Sequence, residues 1–256
     1  MEIDRSAARR AFAAYVRAYD LRNPKIALKI AHTYRVAALC ETIAQSLALS
    51  PADTDLAWLS GLLHDVGRFE QVRRFGTFND ALSLDHAAES ARVLFEEGRI
   101  RDYTADPAED ALLEKAVRGH NLYRLPDALT ARERMFCNIL RDADKVDILR
   151  ANCETPLTDI YNVTPEALRT SAITPAVRES FFAHSAVLRE IKRTPADNIV
   201  GLTSMVFELV YPAGIAAVKQ QNWLGRLFTF DTENAETAQT LREMHAEMER
   251  WLAARG

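Results

Sequence analysis

The sequence predicts an all-α protein, and three observations support this fold class. Only 9 Gly and 9 Pro occur in 256 residues, and the hydrophobic share of 48% is ordinary for a globular domain. Apolar residues recur at three- and four-residue spacings, whereas the period-two alternation of strands hardly appears. Signals for helix starts, such as an N-cap residue followed by proline, recur along the chain. We therefore expect about ten helices.

The starts of these helices can be placed in chain order. Asn23-Pro24 and Ser50-Pro51 each combine an N-cap residue with a proline at the first helical position. A helix that begins near Ser83 is expected to end at Gly98, because glycine is favoured just after a helix. The other signals are Asp106-Pro107, a capping box over residues 130–133 that leads into an apolar stretch through Leu149, Thr-Pro pairs at residues 164–165, 174–175 and 194–195, and an amphipathic stretch over roughly 236–254.

No Gly/Ser-rich or Pro-rich linker divides the chain, so the sequence favours a single continuous domain. The loosest stretch, residues 151–163, separates a histidine-bearing N-terminal part from a C-terminal part with little evident chemistry. We predict a helical domain over residues 1–150 and a C-terminal helical extension over residues 151–256. The two are expected to pack together as one continuous domain. Residues 207–211 and 220–223 are expected either to form a homodimer interface or to close a pocket.

Composition and charge exclude several classes of protein. The chain has 32 basic and 36 acidic side chains and no basic stripe, so we do not expect it to bind a nucleic-acid polymer. No apolar run approaches the about 18 residues of a membrane span, and the N-terminus lacks the apolar segment of a signal peptide. Three scattered cysteines without a CxxC pair indicate buried thiols in a reducing compartment. We therefore expect a cytoplasmic protein that does not enter a membrane.

Histidines and one acidic neighbour mark the first candidate site. Four of the six histidines lie between residues 32 and 120, near apolar helices, whereas His184 and His245 are expected to be ordinary structural residues. His64 and Asp65 follow an apolar run, where burial of a carboxylate is costly unless it is paired or bound to a metal. Imidazole nitrogens and carboxylate oxygens together suit a first-row divalent metal.

A second acidic cluster, over residues 139–149, interrupts the apolar helix that is predicted to begin at the capping box of residues 130–133. Asp144 lies four residues from both Leu140 and Ile148, so it shares the inward-facing stripe of that helix. Asp142 and Asp147 diverge from the stripe, although Asp142 stays an alternative to Asp144 as a metal ligand. An acid on the core-facing side needs a partner, which makes Asp144 the better candidate.

The order of these residues resembles the H…HD…D signature of the HD superfamily, a group of helical, metal-dependent phosphohydrolases. Residues 32–36 (HTYRV) match the H-x-x-R-V opening of the family, and residues 62–68 (LLHDVGR) match its LLHDIGK/R core. Asp85-His86 and His120-Asn121 fall where many members carry two extra histidines. The resemblance covers roughly residues 25–150 and implies an HD-like helical bundle with additional C-terminal helices.

The resemblance also implies a set of metal ligands. His32, His64, Asp65 and Asp144 would hold one divalent metal, and Asp65 would either bridge two metals or orient the attacking water. His86 and His120 would complete a second metal site or contact substrate phosphate; alternatively, they are ordinary helix-terminal residues. One or two ions of Mn, Fe, Co, Ni, Zn or Mg are therefore expected per chain.

The implied activity is hydrolysis of a phosphomonoester or phosphodiester in a small nucleotide-like substrate by a metal-activated water. Arg68 is expected to neutralise a substrate phosphate through its guanidinium fork, with an ordinary salt bridge as the alternative. Arg35 and Lys145 are weaker candidates for that role, and residues 69–80 form either a pocket wall or a packed connection. Two other functions stay open: a di-iron oxygenase and a non-catalytic nucleotide-sensing module.

Overall fold

The computed structural model describes residues 3–255, and it confirms the all-α prediction because no strand occurs within that range. None of the described helices is long and apolar enough to cross a membrane. Short 3-10 or π-helical segments connect some of the α-helices. The fourteen α-helices in the described range are α1 Arg5–Val16, α2 Pro24–Ser46, α3 Pro51–Leu63, α4 Val66–Phe75, α5 His86–Ala91, α6 Asp110–Gly119, α7 Ala131–Glu154, α8 Leu157–Tyr161, α9 Pro165–Arg169, α10 Pro175–Phe182, α11 Pro195–Ser204, α12 Pro212–Gln221, α13 Trp223–Phe228 and α14 Ala235–Ala253.

Local capping explains why the starts of several helices were predictable. The side chains of Asn23 and Ser50 accept hydrogen bonds from backbone N–H groups in the first turns of α2 and α3, as the sequence predicts. Thr194 and Asp197 form a complete capping box at the start of α11. Helix α1, which no start signal had marked, begins after Asp4, whose carboxylate accepts from the N–H of the third residue beyond it.

Two predicted helix starts were wrong, each for a local reason. The helix expected from Ser83 begins at His86, because Asp85 caps it by accepting from two backbone N–H groups. It continues through the π-helical segment Arg92–Glu96 and stops, as predicted, at Gly98, which has a φ of 76°. Helix α6 begins only at Asp110, since the Asp106 side chain caps a separate turn at Ala108.

Two loosely predicted segments are more helical than expected. Residues 69–75, which were expected to be a pocket wall or a packed connection, belong to α4, and the connection starts at Gly76 with a φ of 64°. Helix α7 continues to Glu154, so the expected loose stretch is shorter, and it contains α8. The fourteen α-helices of the described range exceed the about ten that were expected, and the additional ones include the short helices α8 and α13.

The chain divides into two compact units between Asp144 and Lys145, inside α7. In the N-terminal unit α2 packs along α3, α4 packs on α5, and α5 packs on α6. In the C-terminal unit α10 packs on α11 and α14, and α13 packs on α14. The predicted boundary near residue 150 and the single continuous domain stay predictions.

The contact of α2 with α3 depends on a glycine. A Cβ atom at Gly61 would lie 2.7 Å from the Cα atom of Ala37 and 3.0 Å from the sulfur of Cys40. Backbone therefore meets backbone at this position, and no larger residue fits without moving a helix. The close approach sets the distance between His32 on α2 and His64 at the end of α3.

Replacement of Gly61 by alanine is expected to destabilise the protein, because the added methyl group must push α2 away from α3. We expect Gly61→Ala to lower the free energy of unfolding by about 1–3 kcal/mol, measured by urea denaturation. The control is Gln45→Ala on the exposed face of α2, which should change it by less than about 0.5 kcal/mol. An unchanged midpoint for Gly61→Ala would contradict the close packing.

Candidate metal centre

The structure brings the four predicted ligands of the first metal together. The two histidines come from α2 and the end of α3, and the two aspartates come from the start of α4 and from α7. Nε2 of His32 lies 3.0 Å from Oδ1 of Asp144 and 3.6 Å from Oδ2 of Asp65. Nε2 of His64 lies 3.3 Å from Oδ2 of Asp65 and 3.7 Å from Oδ1 of Asp144. Residues separated by more than a hundred positions thus direct nitrogen and oxygen atoms at one point.

The two additional histidines lie on the other side of Asp65. Nε2 of His86 is 3.0 Å from Nε2 of His120, and each of these nitrogens is 3.7 Å from Oδ1 of Asp65. Asp65 therefore turns one oxygen toward His32 and His64 and its other oxygen toward His86 and His120. This is the arrangement that a bridging carboxylate requires.

Hydrogen bonds at Nδ1 orient three of the four imidazoles. Nδ1 of His64 lies 2.7 Å from the carbonyl oxygen of Gly61, and Nδ1 of His120 lies 2.6 Å from that of Val117. Nδ1 of His86 lies 2.6 Å from Oδ2 of Asp80. Because a carbonyl or a carboxylate can only accept, Nδ1 carries a hydrogen in each of these rings, and Nε2 is the nitrogen that faces the cluster. Outer hydrogen bonds of this kind are typical of metal-ligating histidines.

Burial and neighbouring charges shift the pKa values of His64, Asp65 and Asp144. Burial alone would lower the pKa of His64, but the carboxylates of Asp65 and Asp144 outweigh it and raise that pKa to about 10. Burial alone would raise the pKa of Asp65, but the Lys29 ammonium and His64 hold it well below its usual range. Asp144, buried beside His32 and His64, likewise has a pKa well below normal. Both carboxylates are therefore ionised, and the cluster holds a proton or another cation.

The pKa of His86 is shifted in the opposite direction from that of His64. Burial and the neighbouring Arg68 guanidinium lower the pKa of His86 to about 3, although Asp80 opposes them. The imidazole is consequently neutral, which is the form that binds metals. His64 and His86 thus differ in charge in the metal-free protein, although both face Asp65.

Two unsatisfied atoms indicate that the cluster fits a divalent cation. Nε2 of His64 and Oδ1 of Asp65 are fully buried, and neither has a hydrogen-bond partner in the described part of the chain. Buried polar atoms of this kind are costly unless something binds them. Three groups of His and Asp residues could each hold a metal ion, because within each group the ligand atoms lie within 4.8 Å of one another. The groups are His32-His64-Asp144, His64-Asp65-His120 and Asp80-Asp85-His86. Imidazole and carboxylate donors in this number suit a first-row divalent metal.

Arg68 borders the cluster and is held by the loop between α4 and α5. Its Nη1 donates to Gln71 Oε1 at 2.6 Å, to the Phe78 carbonyl at 2.8 Å and to Asp80 Oδ1 at 2.8 Å. Its Nη2 lies 3.2 Å from Nε2 of His86. The side chain is only 13% exposed, so the ion pair with Asp80 is not an ordinary surface salt bridge. The expected contact of Arg68 with substrate phosphate stays a prediction.

The sequence did not mark three residues that support the site. Asp80 holds His86 through Nδ1, and Lys29 contacts Asp65 with its Nζ 2.5 Å from Oδ2. The buried guanidinium of Arg141 donates to the backbone carbonyls of residues 119, 120, 122 and 123, and it thereby fixes the chain around His120. The spacing of Lys29, three residues before His32, is a signal that could have indicated a shared helix face. No such pattern marks Asp80, because its position depends on a loop.

The predicted pattern of α7 needs one correction. Asp142 and Asp147 were expected to diverge from the buried stripe, but both are buried, with exposures of 0% and 1%. The centre of α7 is enclosed on more than one side, so a single inward stripe is the wrong description. Among the metal-binding groups it is nevertheless Asp144 that joins His32 and His64. Lys145, a weak candidate for phosphate binding, forms an ion pair with Glu208 at 2.9 Å.

Loss of the Asp80 charge is expected to weaken metal binding, because a carboxylate on Nδ1 orients the His86 ring and increases its basicity. We expect Asp80→Asn to reduce the affinity for Mn²⁺ by about 10- to 100-fold, measured by isothermal titration calorimetry. The control is Asp102→Asn, which removes only the exposed ion pair with Arg99 and should leave the affinity unchanged. Equal affinities in the two variants would show that Asp80 does not support a metal ligand.

Comparison with known families agrees with this geometry. The HD domain model matches residues 30–152, a range that includes all six predicted metal ligands. Residues 30–152 therefore form an HD domain, an all-α domain that is typical of metal-dependent phosphohydrolases and that binds divalent metals. A search of curated proteins found no match, and a search of solved structures also found none.

Proposed function

We propose that this protein is a phosphohydrolase that cleaves a phosphomonoester or phosphodiester bond in a small nucleotide-like substrate. The observation that carries the proposal is the shared position of Asp65 between two histidine pairs, with two buried, unsatisfied atoms at the centre. A divalent metal, when bound there, lowers the pKa of a coordinated water and polarises the phosphoryl group. The identity and number of the metals are part of the proposal, with one or two expected per chain.

The residues of the chain have distinct roles in this proposal. His32, His64 and Asp144 would hold one cation, His86 and His120 would hold a second, and Asp65 would contribute to both. Carbonyl groups and Asp80 keep the imidazoles oriented, so little reorganisation is needed when substrate arrives. Arg68, placed beside His86 and Asp65, supplies positive charge where a phosphate would lie.

Metal analysis followed by an activity screen tests the proposal. Protein purified without chelator is analysed for first-row metals and then assayed against phosphomonoesters and phosphodiesters with several divalent ions. We expect about one or two metals per chain and turnover that depends on the metal. Less than about 0.2 metal per chain, unchanged in His64→Ala, would contradict the proposal.

Measurements of O₂ consumption and of nucleotide binding on the same protein distinguish the two alternative functions from the proposed one. An oxygenase would consume O₂ in its iron-loaded form and release no phosphate. A nucleotide-sensing module would bind a nucleotide tightly and leave it intact after long incubation. We further propose a cytoplasmic location and a small phosphorylated substrate as the partner, with neither a nucleic-acid polymer nor a membrane bound.

A further inference from the structure

Lys29 is in direct contact with one of the predicted metal ligands, Asp65. It precedes His32 by three residues on α2, so the two side chains project from the same face of the helix. Its Nζ is 2.5 Å from Oδ2 of Asp65, the same oxygen that lies 3.3 Å from Nε2 of His64. The ammonium group therefore occupies a position from which it competes with any cation for that carboxylate oxygen.

The ammonium group of Lys29 has more N–H donors than it uses in its hydrogen bond to Asp65. An ammonium group has three N–H donors, and among the described residues Lys29 makes one hydrogen bond, to Asp65. Its other close neighbour is the ring of Phe78, whose centroid lies 5.5 Å from Nζ. Arg68 differs in this respect, since its Nη1 donates to three acceptors and its Nη2 faces His86. Lys29 is thus the cation of the cluster that is better able to bind a new acceptor.

Lys29 also lies at the solvent side of the cluster. Its side chain is 12% exposed, whereas those of Asp65 and His64 are 2% and 0% exposed. Asp144 keeps a similar exposure of 13%, but its negative charge repels an anion. A phosphate group that approaches the buried histidines therefore meets the Lys29 ammonium.

We propose that Lys29 is a substrate-binding residue whose ammonium gives up its hydrogen bond to Asp65 and donates instead to a phosphate oxygen. The proposal rests on the phosphohydrolase function above. Without a bound cation, Lys29 neutralises the buried Asp65 carboxylate. Once a divalent cation holds Asp65, a second positive charge on the same oxygen is unfavourable, and the ammonium turns to a non-bridging oxygen of the substrate.

This exchange has a consequence that a purely structural lysine would not produce. Removal of the ammonium eliminates a competitor for Asp65, so metal binding should become stronger. It also eliminates a donor to phosphate, so phosphate binding should become weaker. A lysine that merely stabilises the fold would weaken both equilibria or neither.

The experiment measures both equilibria by calorimetry, first with Mn²⁺ and then with inorganic phosphate added to the Mn²⁺-loaded protein. Lys29→Met is expected to bind Mn²⁺ at least as tightly as the unmodified protein and phosphate at least about 10-fold more weakly. Lys29→Arg, which keeps the charge, should stay within about threefold for phosphate. The matched control is Lys25→Met, one turn earlier on α2, whose Nζ binds the Gly76 carbonyl and which should change neither constant.

Each outcome decides the proposal. Unchanged phosphate affinity in a Lys29→Met protein that binds Mn²⁺ normally would overturn it, as would weakening of both constants. If Lys29→Met does not fold, Lys29→Gln, which also removes the positive charge, must bind Mn²⁺ at least as tightly and phosphate more weakly. If the unmodified protein binds none of the divalent ions of the screen, the phosphohydrolase function fails and this inference fails with it; if it binds another of these ions instead of Mn²⁺, that ion replaces Mn²⁺ in the experiment. If it binds Mn²⁺ and phosphate but Lys29→Met behaves identically, only the inference fails.

Discussion

Asp65→Ala is expected to abolish turnover while the protein stays folded. Asp65 is the carboxylate that both histidine pairs share, so its loss removes a ligand from each half of the cluster. We expect kcat/KM to fall by at least about 10³-fold, which corresponds to about 4 kcal/mol of transition-state stabilisation. Phosphate release from the best substrate of the screen measures the effect.

The fold should survive this change because the side chain is small and its partners can be satisfied by water. Lys29 regains solvent, and the Nδ1 hydrogen bonds of His64 and His86 do not involve Asp65. Circular dichroism and the urea midpoint check this point. Bound metal should fall to below half of its original amount, since every proposed site includes Asp65.

A matched pair on α7 sharpens the test. Asp144→Asn should lose metal and activity, whereas Asp142→Asn, on the same helix and also buried, should retain both. Retention of activity in Asp65→Ala and Asp144→Asn would exclude the proposed chemistry. Loss of metal in Asp142→Asn alone would reverse the assignment of the α7 ligand.

The parts of this structure that could be predicted are those set by local sequence. The starts of α2 and α3 follow from Asn23 and Ser50, because a cap and a proline act within a few residues. The start of α6 was predicted wrongly for a related reason: Asp106 and Pro107 have the composition of a cap but form a separate turn. Local signals identify elements better than they identify their ends.

The site was predictable where helices carry it. His32, His64 and Asp144 lie on or directly beside predicted helices, and the order of the residues was sufficient to group them. Asp80 could not be found in this way, because its contact with His86 depends on the loop between α4 and α5. Arg141 was also missed, since its role is to bind backbone carbonyls, which leave no pattern in the sequence.

The pH dependence of metal binding is the second large effect that the cluster predicts. In the metal-free protein the pKa of His64 is about 10, so at pH 7 its imidazole is protonated and a cation must displace that proton. Each unit of pH below this value should weaken apparent binding about tenfold, so that affinity rises about 100-fold between pH 7 and pH 9. Calorimetry with Mn²⁺ in buffers of different ionisation enthalpy measures both the affinity and the released proton.

The stability of the metal-free protein should also depend on the protonation of His64, but it should fall as pH rises, whereas the metal affinity rises. The pKa of His64 is raised from 6.5 in the unfolded chain to about 10, so its contribution to stability is fully present below pH 6.5 and is lost as pH rises toward 10. The lowered pKa values of Asp65 and Asp144 add stability that is lost as pH falls below their usual range near 3.8. The cluster therefore stabilises the metal-free fold most between these limits.

A bound divalent cation replaces the proton on His64, so the rise in melting temperature on addition of Mn²⁺ should be larger at pH 9 than at pH 6. At about 100 times the dissociation constant the cation adds about 2.7 kcal/mol to the free energy of unfolding. The control is His245→Ala, which removes a partly exposed histidine of the C-terminal unit and should leave the difference between the two pH values unchanged. An increase that is equal at both pH values, or larger at pH 6, would show that His64 does not exchange a proton for the cation.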